Sequence, residues 1–401
     1  MSRERRTQEI PALGEKGDGP LLFMVAGEPS GDALGARLMA ALKRAGGGPV
    51  RFAGVGGPLM EAEGLASLFP MGELAVMGLV EILPHAPRLL RRLGQTAAEI
   101  RRLEPDAVVT IDSPGFSFRL AQRLRGSRIL HVHYVAPQLW AWRPERGKKI
   151  AQRIDHLMAL LPFEPAFFEV FGLACSFVGH PVIEAGADRG DGPGFRARHG
   201  IGPEAVVVSL LPGSRHTEVE RTLPVFGRAM ARLTRRLASL VVVLPVADTV
   251  ARRVERAVAD WPFPVIVVRD AGEKYDAFAA SEAALAKSGT VTLELALAKV
   301  PMVIAYRVNP ITGLIARRLI RVPHVSLVNL LLERPLVPEL LQQACTPERI
   351  ADALARLIEE PEERRAQIEG FGEIPRKLGS DGVAPSARAA EVLLGLVRRR
   401  A

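Results

Sequence analysis

The chain has 401 residues, 48% of them apolar and only 5% aromatic, with two cysteines far apart. That length allows two domains with ample cores, and the composition excludes a disulfide scaffold, a Cys/His zinc module and an aromatic-rich β-sandwich. The formal net charge of +9 suits an anionic partner, but no basic stripe is interleaved with aromatics, so nucleic acid is not expected.

Residues 1–20 are charged and rich in Gly and Pro without an apolar h-region, so they read as a flexible tail rather than a signal peptide. No run of about 20 apolar residues occurs, so no transmembrane helix is expected. The expected location is the cytoplasm, with attachment to a membrane surface left open.

From Leu21 onward, short apolar runs alternate with helical patterns: "LLFMVAG", "VRFAGVGG", "AVVTID", "RILHVHYV", "HLMALLP" and "CSFVGHP". Continuous apolar strands separated by helices predict a parallel sheet covered on both faces. The stretch 188–204 is polar and Gly/Pro-rich, and reads as a linker. The rhythm resumes with "VVVSLLPGSR", "LVVVLP", "PVIVVRD", "AALAKSGT" and "PMVIAYR". The expected domains are therefore 21–187 and 205–375, both doubly wound α/β folds, followed by a C-terminal helix at 376–401. Ligands of such sheets bind beyond the carboxyl ends of the strands.

The first strand runs into "GEPSGDALG", with Ser30 expected as the cap of the next helix. Glu28 and Asp32 would repel a pyrophosphate, so they are read as groups that either hydrogen-bond sugar hydroxyls or tie the loop down. The apolar run containing Val76, Met77 and Leu79 precedes an arginine-rich helical segment that includes Arg88. It suits an acylated ligand or a membrane surface, or else a core helix with a solvated basic face. Asp112 ends a buried strand in "TIDSPGF", which makes it a general-base candidate or a helix cap. "HYVAPQLWAWRPER" gathers Trp142 and Arg143 among clustered aromatics, and reads as a sugar or acyl pocket or as packing.

In the second half, Gly213 allows a tight turn before Ser214 and Arg215, and a guanidinium fork can hold two phosphate oxygens. Ser288, Gly289 and Thr290 lie between a short strand and a helix, where free backbone N–H groups attract an anion. Glu294, one turn on, suits two ribose hydroxyls. Together the loops predict a nucleotide site in the second domain. No Walker loop, HExxH or GxSxG motif is present, and neither a cofactor nor a metal is expected.

The segments "AGEPSGDALGA", "FAGVGGPLMEAEG", "ELAVMGLVEILP", "IDSPGF", "HYVAPQLWAWR", "LPFEPAFFE", "FVGHP", "LLPGSR", "SGTVTLELALAKVPMVIAYR" and "SLVNLLLERPLVPELLQ", in this order, resemble the lipid-A-disaccharide synthases. The resemblance implies a GT-B glycosyltransferase of two Rossmann-like domains. It implies UDP-2,3-diacylglucosamine as donor and 2,3-diacylglucosamine 1-phosphate as acceptor. Asp112 matches the family's essential aspartate, Arg215 its pyrophosphate-contacting arginine, and Asn329 a donor-site residue. Glu294 is a ribose ligand by similarity to other GT-B enzymes. Some members carry a second acid where this chain has Gly115, which leaves Asp112 as the base. The resemblance also implies peripheral association with the inner membrane and a homodimer with exchanged C-terminal segments, the helix at 376–401 either being exchanged in this way or returning to the first domain.

Overall fold

The computed structural model describes residues 19–45, 48–74, 79–237, 239–307 and 322–400, and for 79–85 the backbone alone. The chain forms two compact units, Met1–Pro181 with Gly379–Ala401, and Val182–Leu378.

Unit 1 carries β1 (Leu21–Ala26), β2 (Arg51–Val55), β3 (Ala66–Ser67), β4 (Ala107–Ile111), β5 (Leu130–Tyr134), β6 (His156–Ala159) and β7 (Ala174–Phe177). They pair in parallel in the order β3-β2-β1-β4-β5-β6-β7. Every residue of β1, β4 and β5 is buried, because helices cover both faces. Alternation along β1 divides its side chains between two cores. Leu22, Met24 and Ala26 pack with Leu38 and Leu42 of the helix Pro29–Arg44, whereas Phe23 and Val25 meet Ala97 and Ile100 of the helix Leu79–Leu103.

The C-terminal helix Pro385–Arg398 completes the first of these cores through Ala389, Ala390 and Leu393, lying against the helix Pro29–Arg44. Arg388 ties this segment down by donating to the carbonyls of Val178 at 3.4 Å and Gly379 at 3.3 Å.

Unit 2 carries β8 (Val206–Leu211), β9 (Leu240–Pro245), β10 (Val265–Val268), β11 (Ala283–Ala286), β12 (Met302–Tyr306) and β13 (Glu339–Leu341). This sheet is also parallel, in the order β10-β9-β8-β11-β12-β13. All eleven strands expected from the apolar runs form. The edge strands β3 and β13, of two and three residues, are too short to leave a pattern.

The stretch 188–204 is not a loose connection. Asp191 accepts the Gly194 N–H at 2.9 Å and caps the helix Gly192–Arg198. Phe195 of that helix is fully buried beside Val207 and Ala277, and Arg196 pairs with Glu282 at 2.7 Å. Gly and Pro here start a helix rather than loosen the chain, and the stretch is a packed part of unit 2. Among the described residues, no helix is long and apolar enough to cross a membrane.

Candidate active site

In unit 2 the strand order reverses between β8 and β11, which pair through Leu211 and Ala286. The loops that follow them, Gly213–Arg215 and Lys287–Thr290, therefore lie side by side at a topological switch point, the place where doubly wound sheets bind ligands. A cavity of about 470 Å³ opens there, lined by Ser214, Ser288, Gly289, Thr290 and Glu294. The structure thus brings together five of the residues picked from the sequence.

Gly213 has φ +119°, and a Cβ on it would stand 2.6 Å from Glu218 Oε2. Glycine is required on both counts. The Glu218 carboxylate accepts the Ser214 N–H at 3.2 Å and the Lys287 ammonium at 3.0 Å. Arg215 caps the helix His216–Leu233 by its backbone position. Its guanidinium is 3.7 Å from Glu218 and over half exposed, and Arg215 is not among the lining residues.

Glu294 sits in the helix Val291–Leu297, with a side chain only 16% exposed. The Lys274 ammonium reaches both of its oxygens, at 3.0 and 2.9 Å, and the Tyr275 hydroxyl lies 3.4 Å from Oε1. Ser288 Oγ donates to the Val325 carbonyl at 2.8 Å. A Cβ on Gly289 would meet nothing within 4 Å, so the turn backbone is open to approach. Sequence reasoning missed Glu218, Lys274 and Lys287. Lys287 directly precedes the Ser-Gly-Thr turn and was the most accessible signal.

Asn329 does not reach this cavity. It is buried in the helix Leu327–Leu332. Its amide donates to the Val337 carbonyl and to Glu339, both at 2.9 Å, and its carbonyl accepts the Val337 N–H at 2.9 Å. Its amide splints two segments of unit 2, and Asn329 is not among the residues that line the cavity.

In unit 1 the order reverses between β1 and β4, which pair through Ala26 and Ile111. Asp112 and Ser113 follow β4 with φ +50° and +44°, consecutive left-handed conformations in residues with side chains. Such local strain collects at functional sites. The turn is held by the Asp112 N–H donating to the Tyr134 carbonyl at 2.9 Å and by Ser117 Oγ donating to the Asp112 carbonyl at 2.8 Å. The Asp112 side chain is half-buried.

Glu28, half-buried, precedes the helix Pro29–Arg44, and Ser30 lies exposed inside it. The helix starts before Ser30 because Pro29 fits its first position, so Ser30 is not the cap. Asp32 is buried, and its oxygens accept the N–H groups of Gly57, Leu59 and Met60 at 2.9 to 3.0 Å. It ties down the loop after β2 with both of its oxygens.

Trp142 is 41% exposed, with the Arg143 guanidinium 4.5 Å from its ring centre. Neighbouring Trp140 donates to Glu164 at 3.2 Å. Glu164 also accepts the Leu160 and Leu161 N–H groups, and burial nonetheless pushes its pKa up to about 7. Arg88 is exposed on the helix Leu79–Leu103. Val76 and Met77 lie outside the described residues, as does the side chain of Leu79.

Two parallel α/β units, each with a loop pair at its switch point, define the GT-B class shared by nucleotide-sugar transferases and epimerases. The fold matches a calicheamicin glycosyltransferase with a TM-score of 0.57 at 19% identity, covering 96% of this chain and 99% of that one. It matches a UDP-GlcNAc 2-epimerase from Neisseria meningitidis, solved with UDP-GlcNAc, with a TM-score of 0.62 at 12% identity, covering 95% and 99%. At the level of sequence, the family model described as lipid-A-disaccharide synthetase matches residues 22–380. The chain is 57% identical over 382 residues to the lipid-A-disaccharide synthase of Rhodospirillum centenum, covering 95% of each. It is 50% identical to that of Paramagnetospirillum magneticum, covering 94% of this chain and 98% of the relative. The chain belongs to the lipid-A-disaccharide synthase family, and with it to the glycosyltransferases.

Proposed function

We propose that this protein moves 2,3-diacylglucosamine from UDP to the 6-hydroxyl of 2,3-diacylglucosamine 1-phosphate, giving the β(1→6) disaccharide 1-phosphate and UDP. The observation that carries this reading is the unit 2 cavity, which joins the Ser214 and Ser288–Thr290 turns to the Glu294 carboxylate in a member of this family.

In this reading UDP lies in that cavity. Glu294 accepts the ribose hydroxyls, and the turn backbones and Arg215 face the diphosphate. The acceptor oxygen attacks the anomeric carbon as the bond from that carbon to the diphosphate oxygen breaks, so the centre inverts. Asp112 takes the hydroxyl proton, an assistance worth about 10²–10⁴ in rate. Charge that develops on the departing diphosphate is met by Arg215 and backbone N–H groups. No metal is assigned a part.

Glu28 and Ser30, with Trp142 and Arg143, are the acceptor-side groups in this reading. Val76, Met77, Leu79 and Arg88 belong to the segment that meets acyl chains and the cytoplasmic face of the inner membrane, where the protein associates peripherally. The protein works as a homodimer; unit 1 needs no exchanged segment, because the chain's own Pro385–Arg398 fills its core.

The test is incubation of purified protein with both substrates in detergent and EDTA. Disaccharide 1-phosphate and UDP are the expected products. Product formed only after magnesium is restored would overturn the metal-free route. No product in either condition, together with epimerisation of UDP-GlcNAc, would overturn the transferase reading.

A further inference from the structure

Glu218 is an acid in a cavity read as the site of a doubly charged diphosphate. Its carboxylate gathers the groups that a phosphate would use: the Ser214 N–H at 3.2 Å, the Lys287 ammonium at 3.0 Å and the Arg215 guanidinium at 3.7 Å. The side chain is only 11% exposed and lines the cavity beside Ser214, Lys287 and Ser288. Gly213, with no Cβ, is what lets Glu218 Oε2 come so close to the turn. Lys287 lies between two partners, because its ammonium also stands 5.0 Å from the centre of the Tyr306 ring.

We propose that Glu218 is a built-in competitor for the nucleotide diphosphate, sharing with it the donors Ser214 N–H, Lys287 and Arg215. The inference rests on the reading of this cavity as the UDP site. A diphosphate that takes these donors must turn the carboxylate away from them, and the two anions repel at short range. The competition weakens donor and product through the diphosphate they share. The donor also carries a sugar and two acyl chains, and recovers affinity through them. The product UDP does not. Glu218 thereby favours exchange of product for donor, and Lys287 becomes a diphosphate ligand released to its task from Glu218.

The experiment is calorimetric titration of the full chain with UDP and, separately, with uridine, which lacks phosphates. Glu218→Gln keeps a carbonyl for the Ser214 N–H and removes the charge. It is expected to bind UDP about tenfold more tightly than the parent, with uridine unchanged and UDP a stronger product inhibitor. UDP binding that is unchanged or weaker would overturn the proposal and leave Glu218 as a brace for the turn. Lys287→Met, on a partly exposed side chain, keeps the test open should the first variant fold poorly. It should weaken UDP about tenfold and leave uridine alone, and equal UDP binding would remove Lys287 as a ligand. A parent protein that binds neither UDP nor uridine would overturn the nucleotide reading itself, an outcome distinct from a parent that binds UDP while the variants show no shift.

Discussion

Gly27 and Ser113 touch across the switch point of unit 1. A Cβ on Gly27 would stand 2.3 Å from Ser113 Oγ and 3.0 Å from its Cβ. The loop after β1 and the turn that carries Asp112 are therefore one packed object. Gly27→Ala should cost about 1–3 kcal/mol by overpacking and lower turnover by displacing Asp112. Adding Ser113→Gly removes both colliding atoms and relieves the left-handed strain at φ +44°. A double-mutant cycle on denaturation midpoint and disaccharide formation should show rescue. Additive losses would mean that the contact does not couple the two loops.

Asp112→Asn keeps the fold, since asparagine tolerates left-handed backbone better than most residues. UDP binding should stay within a few-fold of the parent, while kcat falls by about 10²–10⁴. Single-turnover kinetics with saturating donor separates the two quantities. Near-parent kcat would remove Asp112 as the base.

Arg215 and Asn329 should part company. Arg215→Ala is expected to raise donor KM and lower kcat, with thermal stability little changed, because its side chain is largely exposed. Asn329→Ala strands the Val337 N–H and carbonyl, while Glu339 keeps the N–H groups of Val325 and Ser326. It should cost about 1–3 kcal/mol for each buried group left unpaired, seen as a lower melting temperature before any change in UDP affinity. Intact stability with lost UDP binding would return Asn329 to the donor site.

Acid should act on unit 1. Burial holds His131 and His180 at about 4 and His133 at about 3, against 6.5 in the open chain. Unfolding lets these imidazoles take protons that the folded state refuses, so their contribution is full above pH 6.5 and is lost as pH falls toward 4. At pH 5 each costs about 2 kcal/mol. Glu164 works the other way: with its pKa raised to about 7, its contribution is full below about 4.5 and fades as pH rises to 7. One carboxyl does not offset three imidazoles, so melting temperature should fall steeply below pH 6.5. A Trp261→Phe variant leaves Trp140 and Trp142 to report unit 1 by fluorescence, and a flat melting temperature down to pH 4.5 would refute the account.

The sheets were legible because their strands are continuous apolar runs, buried on both sides, as β1, β4 and β5 show. The cavity was legible in part because Gly213–Arg215 and Ser288–Thr290 are turns that need small residues at strand ends. What escaped was identity of partner. Asp32 and Glu294 are both acids near helix starts, yet one accepts three backbone N–H groups and the other meets Lys274 in a cavity. That choice is made by residues distant in sequence. Glycine and proline in 188–204 misled for a related reason: the same letters that loosen a linker also begin a capped helix, and only the burial of Phe195 distinguishes the two.

The return of Gly379–Ala401 to unit 1 sets an order of assembly on the ribosome. Unit 2 is continuous in sequence and is synthesised whole before the segment that completes its predecessor. The helix Pro29–Arg44 must wait with Leu38 and Leu42 uncovered on one side until Pro385–Arg398 emerges. Domains generally fold as units as the chain emerges, so here the later unit closes first. A released chain truncated after Leu378 should hold a protease-resistant second half beside an incompletely protected first.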